Sequence, residues 1–373
     1  MATEDGAAAE SAPDIESARE ALWRRRQLRR GLYLLAAVGV FYLAYFVFLD
    51  FLGFSFAELT SDRATTQMGE FVGGLFPPNF EDMTTYTKDN EIKGLEALWV
   101  TLTTWEPGIA WWTSPKIGVG LFALGPISLP VPGIWPTHVM DTLAAADAGN
   151  GNVLVSAAYT TVAAGFTGTV LGFPLALVFG VLGSERVIPF PLNFVFRGTM
   201  STIRAIPAIV WTLIYIPIFG ISPATGVLAI ATDTIGNLGR LFTDELEEID
   251  DGPIEAVRST GGGRVQVVVF GMLSQVTNSF IAWTLYILEI NTRIAITLGV
   301  LGVGGLGMYI DNQLGLMSFG YQNAMAGIIM VIFIVLSIEL ISSRIRARLR
   351  PGESSGQSLL DAILGLGDPK KWI

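Results

Sequence analysis

The chain has 373 residues, 51% of them hydrophobic and 15% charged, with one histidine and no cysteine, and its mean hydropathy is +0.52. Those figures exclude an ordinary soluble domain, a disulfide framework and a thiolate metal site, and leave an integral membrane protein. The net charge of −10, from 33 acids against 23 bases, fits either a few acidic loops or the solvated acidic surface of a protein from a high-salt, haloarchaeal-like setting.

Met1 to Glu20 are rich in Ala, Glu, Asp and Ser and read as a disordered acidic tail. Arg24, Arg25, Arg26, Arg29 and Arg30 then flank an apolar run from Gly31 to Leu49. Such a run is long for a signal core and no Ala-x-Ala site closes it, so a retained first helix is expected over 31–53. Residues 54–152 form a long extracytoplasmic loop. Within it, Ile117 to Trp135 is apolar, but Pro126, Pro130, Pro132 and Pro136 break any helix, which leaves a surface or interfacial segment. His138 lies in this loop and receives no role.

Further apolar stretches run from Val153 to Leu182, Ile206 to Ile221, Pro223 to Leu241, Val276 to Leu301 and Ala324 to Ser342. Each approaches the roughly 20 residues needed to cross about 30 Å of hydrocarbon as helix. An all-α integral membrane protein with about six transmembrane helices is therefore predicted, with 153–349 as the main transmembrane domain and 350–373 as a tail. Six spans place Arg186, Arg197, Arg204, Arg240, Arg258, Arg264, Arg344, Arg346, Arg348 and Arg350 on the side of the first basic cluster. By the positive-inside rule that side is the cytoplasm, which also receives both termini of a multi-pass plasma-membrane protein.

Ionisable groups within spans are costly and draw attention. Glu289 and Arg293 stand four apart on one helix, at ion-pairing distance. They form either an internal pair or, with Asn291 and Thr297 nearby, part of a polar stripe along a transport path. Asp233 poses the same question without an obvious local partner, and is expected to face the bundle interior. Gly165, Gly168 and Gly172 suit close helix packing. Gly302 to Gly307 fits G-x-G-x-x-G, but it ends a membrane helix where a dinucleotide site needs a preceding strand; a tight outer turn is expected instead. No phosphate-binding G-x-x-x-x-G-K-[ST] loop occurs.

One polar loop stands out, from Asp250 to Arg264. A short helix capped by Asp250 or Asp251, with Pro253 in its first turn, is expected to end at Gly261-Gly262-Gly263. Here Glu255-Ala256-Val257, three residues, Gly261, nine residues and Gly271-Met272-Leu273-Ser274 resemble the coupling motif of permeases of ATP-binding-cassette importers, with Val257 and Ser274 departing from its Ala and Pro. Phe76 to Phe80, Arg204-Ala205-Ile206-Pro207, Leu246 to Asp250, Leu285 to Arg293 and the Gly299 to Gly307 glycines resemble the phosphonate-uptake class. The resemblance covers roughly Val153 to Arg350 and Phe71 to Phe80; nothing is recognised from Glu81 to Asn152, which reads as an insertion.

The resemblance implies a type I importer bundle whose cytoplasmic loop 244–275 docks on an ATPase subunit through Glu255, Ala256, Arg258, Gly261, Gly262, Arg264 and Leu273. It implies that ATP and Mg are held by that partner ATPase and no cofactor by this chain. It also implies an extracellular or periplasmic substrate-binding protein, a second permease copy and a lipid setting, with no nucleic acid. Transport of a phosphonate, phosphite or phosphate would run by alternating access, with Asp233, Glu289, Asn291, Arg293 and Thr297 as candidates along the path. The alternatives are a stand-alone secondary transporter or channel and, more remotely, a polytopic membrane enzyme, for which no nucleophile beside a base is found.

Overall fold

A computed structural model describes residues 15–51, 53, 60–113, 128–147, 153–315 and 320–349. The expected tail 350–373, the first 14 residues of the acidic tail and residues 117–127 lie outside the described residues. The chain divides into two units after Gly73. The first holds α1 (Ile15–Phe51) and most of α2 (Asp62–Leu75). α1 corrects the predicted tail, because helix already begins at Ile15 and runs through the arginine flank. Its apolar stretch Trp23–Val47 buries nothing, as suits a lipid-facing helix.

The second unit opens with a 3-10 turn (Glu81–Met83), α3 (Thr85–Asp89) and α4 (Gly94–Thr103). It continues into a hairpin of β1 (Trp105–Thr113) and β2 (Ser128–Pro136), paired antiparallel with Gly108 opposite Gly133, and α5 (Thr137–Asp147). The hairpin is the departure from an all-helical reading among the described residues. Prolines at 130, 132 and 136 break helix, but both strands of a two-stranded ribbon are edges and spare their N–H groups. His138 is in α5 rather than a solvated loop, its ring stacked on Tyr86 at 3.9 Å. Phe80, Met83 and Ala97 pack with Leu154, Leu306, Tyr309 and Ala326, so this part of the insertion is joined to the bundle.

The bundle comprises α6 (Leu154–Gly183), α7 (Leu192–Ala205), α8 (Ala208–Phe219), α9 (Pro223–Glu247), α10 (Asp251–Ser259), α11 (Arg264–Val303), α12 (Gly305–Leu314) and α13 (Tyr321–Leu349). By length and composition α1, α6, α11 and α13 can cross a membrane, and α7 with α8 can make a fifth, broken span bent by 89°. Pro207 supplies no N–H, and Ile206 before it is held extended, so the chain breaks there. At 12 residues α8 reaches only about 18 Å and cannot span alone, which corrects the Ile206 to Ile221 expectation. α9 is long enough at 25 residues but carries Asp233, Arg240, Asp244, Glu245 and Glu247. It packs against α6, α7, α8 and α11 and so need not present an apolar surface to lipid. The number six is reached only by counting both α9 and the bent pair.

Close packing of α6 on α9 rests on glycines. A Cβ on Gly172 would stand 2.6 Å from the Ala231 carbonyl, and one on Gly180 would stand 2.7 Å from Phe242 Cβ. At the arginine-rich end, Phe242 stacks on Phe280 at 3.9 Å within a core of Leu238, Leu246, Ile254, Val267 and Met272. At the opposite end, Gly302, Gly304 and Gly305 take φ of 86°, 103° and 81°, which only glycine adopts without strain. The G-x-G-x-x-G run is thus the expected turn between α11 and α12, with no strand before it.

Candidate functional site

α10 forms because Asp250 leaves the chain extended and Pro253 fits the first turn, and it stops because Gly261 takes a φ of +79°. Gly262 N–H donates to the Val257 carbonyl at 3.2 Å and Gly261 N–H to that of Arg258 at 3.0 Å, closing the helix end. The expected side-chain cap is not made. Asp250 caps nothing, and Asp251 accepts instead from Arg186 Nη1 at 3.0 Å. Gly263 N–H donates to Gln266 Oε1 at 2.8 Å, which starts α11.

The amphipathic helix lies on α11 through Ile254 and Val257, which pack with Val267, Val268 and Met272. Gly271 allows the contact: a Cβ there would already touch the Pro253 carbonyl at 3.4 Å and Val257 at 3.5 Å. The opposite face offers Glu255, Ala256 and Arg258 to solvent, continued by Gly261 and Arg264. Gly262 is half-buried under Val257, and Leu273 is packed into the core behind the loop, so these two support the surface rather than form it. A groove of about 510 Å³ beside the helix is walled by Arg186, Arg258 and Arg264 with Val187, Val265 and Met272. Sequence reading missed the scaffold role of Gly271, although its place in the motif was a signal.

Deeper in the bundle the polar candidates separate. Asn291 is fully buried, and its Nδ2 donates at 2.8 Å to both Thr169 Oγ1 on α6 and Thr234 Oγ1 on α9, so it ties three helices together and lines no open surface. Asp233 is buried and does have a local partner, one turn on: Asn237 Nδ2 donates to its Oδ2 at 2.9 Å. Glu289 is buried and pairs with Arg293 at 2.5 Å on the same helix, while Arg346 Nη2 of α13 stands 3.9 Å from its other oxygen. Arg293 also stands 4.0 Å from Glu339. Both Arg293 and Glu339 are half exposed. Thr297 is exposed one turn above, donating to the Arg293 carbonyl at 3.2 Å. The Glu289–Arg293 pair is thus part of a four-residue network between α11 and α13.

At the far end Asp82 is buried and accepts from Gln313 and Asn323 at 3.3 Å and Tyr309 at 3.4 Å, with Lys88 Nζ at 3.2 Å. Burial, then the neighbouring Asp82 charge, pushes the Tyr309 phenol above its ordinary range. This cluster joins the insertion to α12 and α13 and was not singled out from sequence, since the recognisable segment ends at Phe80. Among the described residues no group of three or more His, Cys, Asp or Glu could hold a metal ion.

No family model matches the chain. It is 34% identical over 197 residues to the phosphate-import permease protein PhnE of Mycolicibacterium smegmatis, covering 52% of this chain and 37% of that protein. It is 30% identical to the putative phosphite transport system permease protein HtxC of Stutzerimonas stutzeri, covering 57% of this chain and 73% of the relative. It is 32% identical to the putative cryptic phosphonate transport system permease protein PhnE2 of Escherichia coli, covering 32% of this chain and 97% of the relative. Among solved structures, a chain of the MetNI methionine ABC transporter in an inward-facing conformation aligns at 23% identity, over 53% of this chain and 96% of that one, with a TM-score of 0.48. The chain therefore belongs to the permease family of ATP-binding-cassette importers, in the branch that holds the phosphonate and phosphite permeases.

Proposed function

We propose that the chain is the membrane-spanning subunit of an ATP-driven importer for a phosphorus oxyanion, whether phosphonate, phosphite or phosphate. The observation that carries this reading is α10: a short helix stopped by Gly261, seated on α11 by apolar contacts, with Glu255, Ala256 and Arg258 turned to water. A rigid surface helix of this kind transmits force to a docked subunit. Closure of that subunit biases the membrane domain only by the difference in its affinity for the two states. The chain is a transport subunit rather than an enzyme, and the substrate class is that for which the related permeases are named.

The partners are then two ATPase subunits carrying ATP and Mg, an extracellular or periplasmic binding protein and a second copy of this chain. The permease sits in the plasma membrane with α10 and both termini in the cytoplasm, as the arginine distribution favours. Asp233, Glu289, Arg293 and Thr297 remain the candidates along the path, whereas Asn291 serves the fold. Reconstitution with the ATPase and binding protein tests the reading through ligand-stimulated ATP hydrolysis. Glu255→Arg is expected to lower stimulation at least about tenfold, as expected when a charge pair at a contact is reversed. Unchanged stimulation and co-purification would remove α10 from the coupling role, and uptake by this chain alone would favour a secondary transporter.

A further inference from the structure

A cavity of about 720 Å³ opens between α9, α11 and α13 near the arginine-rich end, and nothing above assigns it a role. Gln275, Asn278, Trp283 and Tyr286 of α11 line it, with Glu245 of α9 and Arg346 of α13. Its size falls within the roughly 300–1,000 Å³ of small-molecule sites. Its walls supply amide and hydroxyl donors and one guanidinium, the chemistry that a phosphoryl oxyanion requires.

The cavity is continuous in sequence with the ion network. Gln275, Ser279, Tyr286, Glu289, Arg293 and Thr297 recur at spacings of three, four and seven, which places them along one face of α11. Their 22-residue separation corresponds to about 33 Å, close to the thickness of the hydrocarbon layer. Half-exposed Arg293 on this face, with half-exposed Glu339 of α13 4.0 Å away, does not suit lipid and must meet water or protein. Arg346 belongs to both features, lining the cavity while its Nη2 stands 3.9 Å from Glu289 Oε2. Glu289 Oε1 is held by Arg293 at 2.5 Å. One buried carboxylate thus faces two arginines, one on each oxygen.

We infer that this cavity is an intracellular-side oxyanion station, and that Arg293 and Arg346 share Glu289 as a common counter-ion, so that either is freed for the anion in turn. This deepens the oxyanion-permease reading and rests on it. When an anion engages Arg293, Glu289 remains neutralised by Arg346; when the anion reaches Arg346, Glu289 returns to Arg293. Neither step leaves the buried carboxylate unpaired, which would be the costly state. Glu245, the acid in the lining, accepts from Trp283 Nε1 at 2.9 Å, and its charge keeps the station weak enough to release its cargo.

The test follows labelled phosphate, phosphite and methylphosphonate uptake and ATP hydrolysis by the complete transporter in proteoliposomes. R293Q and R346Q are each expected to lower uptake at least about tenfold, the loss of one charge-assisted hydrogen bond, in transporters that assemble and reconstitute at the wild-type level. R346K retains the charge and restores most of the uptake. S279F narrows the same face without removing a charge and lowers uptake likewise, which keeps the test sound if R346Q does not assemble. Wild-type uptake in R293Q, R346Q or S279F overturns the station. Absence of oxyanion uptake by the wild-type transporter overturns instead the permease reading beneath it.

Discussion

Asn291 and Arg293 are two residues apart on α11 and have opposite surroundings. The helix turns about 200° between them, so Asn291 points between α6 and α9 and is fully buried, whereas Arg293 points toward α13 and is half exposed. The Asn291 side holds the bundle together through short polar contacts and glycine packing. The Arg293 side holds charges in a network across α11 and α13, with contacts from 2.5 Å to 4.0 Å. Polar residues in a membrane helix are therefore not one class: those with no water nearby bond helices to one another, and those at an open face remain available for chemistry.

The largest expected effect lies on the closed side. Gly172→Leu would drive a side chain into the Ala231 carbonyl at 2.6 Å and Thr234 Cβ at 2.7 Å, for a loss of about 3 kcal/mol or more. Folded yield and detergent melting measure it, and accumulation at the wild-type level would show that the α6–α9 contact gives way easily. Asn291→Ala removes two interhelical hydrogen bonds and is expected to cost about 1–2 kcal/mol. A double change with Thr234→Val should cost less than the sum, because the two share one bond.

On the open side the effects on stability shrink. Glu289→Gln leaves Arg293 and Arg346 facing each other without their acid, at about 1 kcal/mol, since the arginines are partly solvated. Arg293→Gln should change stability by no more than about 0.5 kcal/mol, because Arg293 is half exposed and Arg346 remains beside the buried Glu289. Melting of the four variants under one condition decides the comparison. If Arg293→Gln melts as low as Asn291→Ala, the two faces of α11 do not differ in the way described.

The polar loop from Asp250 to Arg264 was the most legible part of the chain. Pro253 and the run Gly261-Gly262-Gly263 placed a helix and its stop, and the structure has both, because a φ of +79° at Gly261 is a local demand that only a local residue can meet. The side-chain cap was misjudged: a long-range partner, Arg186, holds Asp251, and Asp250 makes no cap bond. The partner of Asp233 was overlooked although Asn237 stands one turn away. Of the path candidates, Asn291 is a fully buried tie among three helices, and spacing alone could not show it. Ile117 to Trp135 reads from sequence as a surface or interfacial segment, and the strand Ser128–Pro136 occupies its described part, since prolines say what a segment is not more clearly than what it pairs with.

By itself the sequence determined the class of protein, the position of α10 and the arginine-rich end. In hydrocarbon every backbone group must be satisfied within its own helix, so long apolar runs admit one structure. Only the tertiary structure decided which polar residues are ties and which are open, that α8 is too short to span, and that Asp82 joins the insertion to α12 and α13. Helical periodicity assigns a residue to a face, but whether that face meets another helix, an ion partner or open space depends on segments far away in the chain.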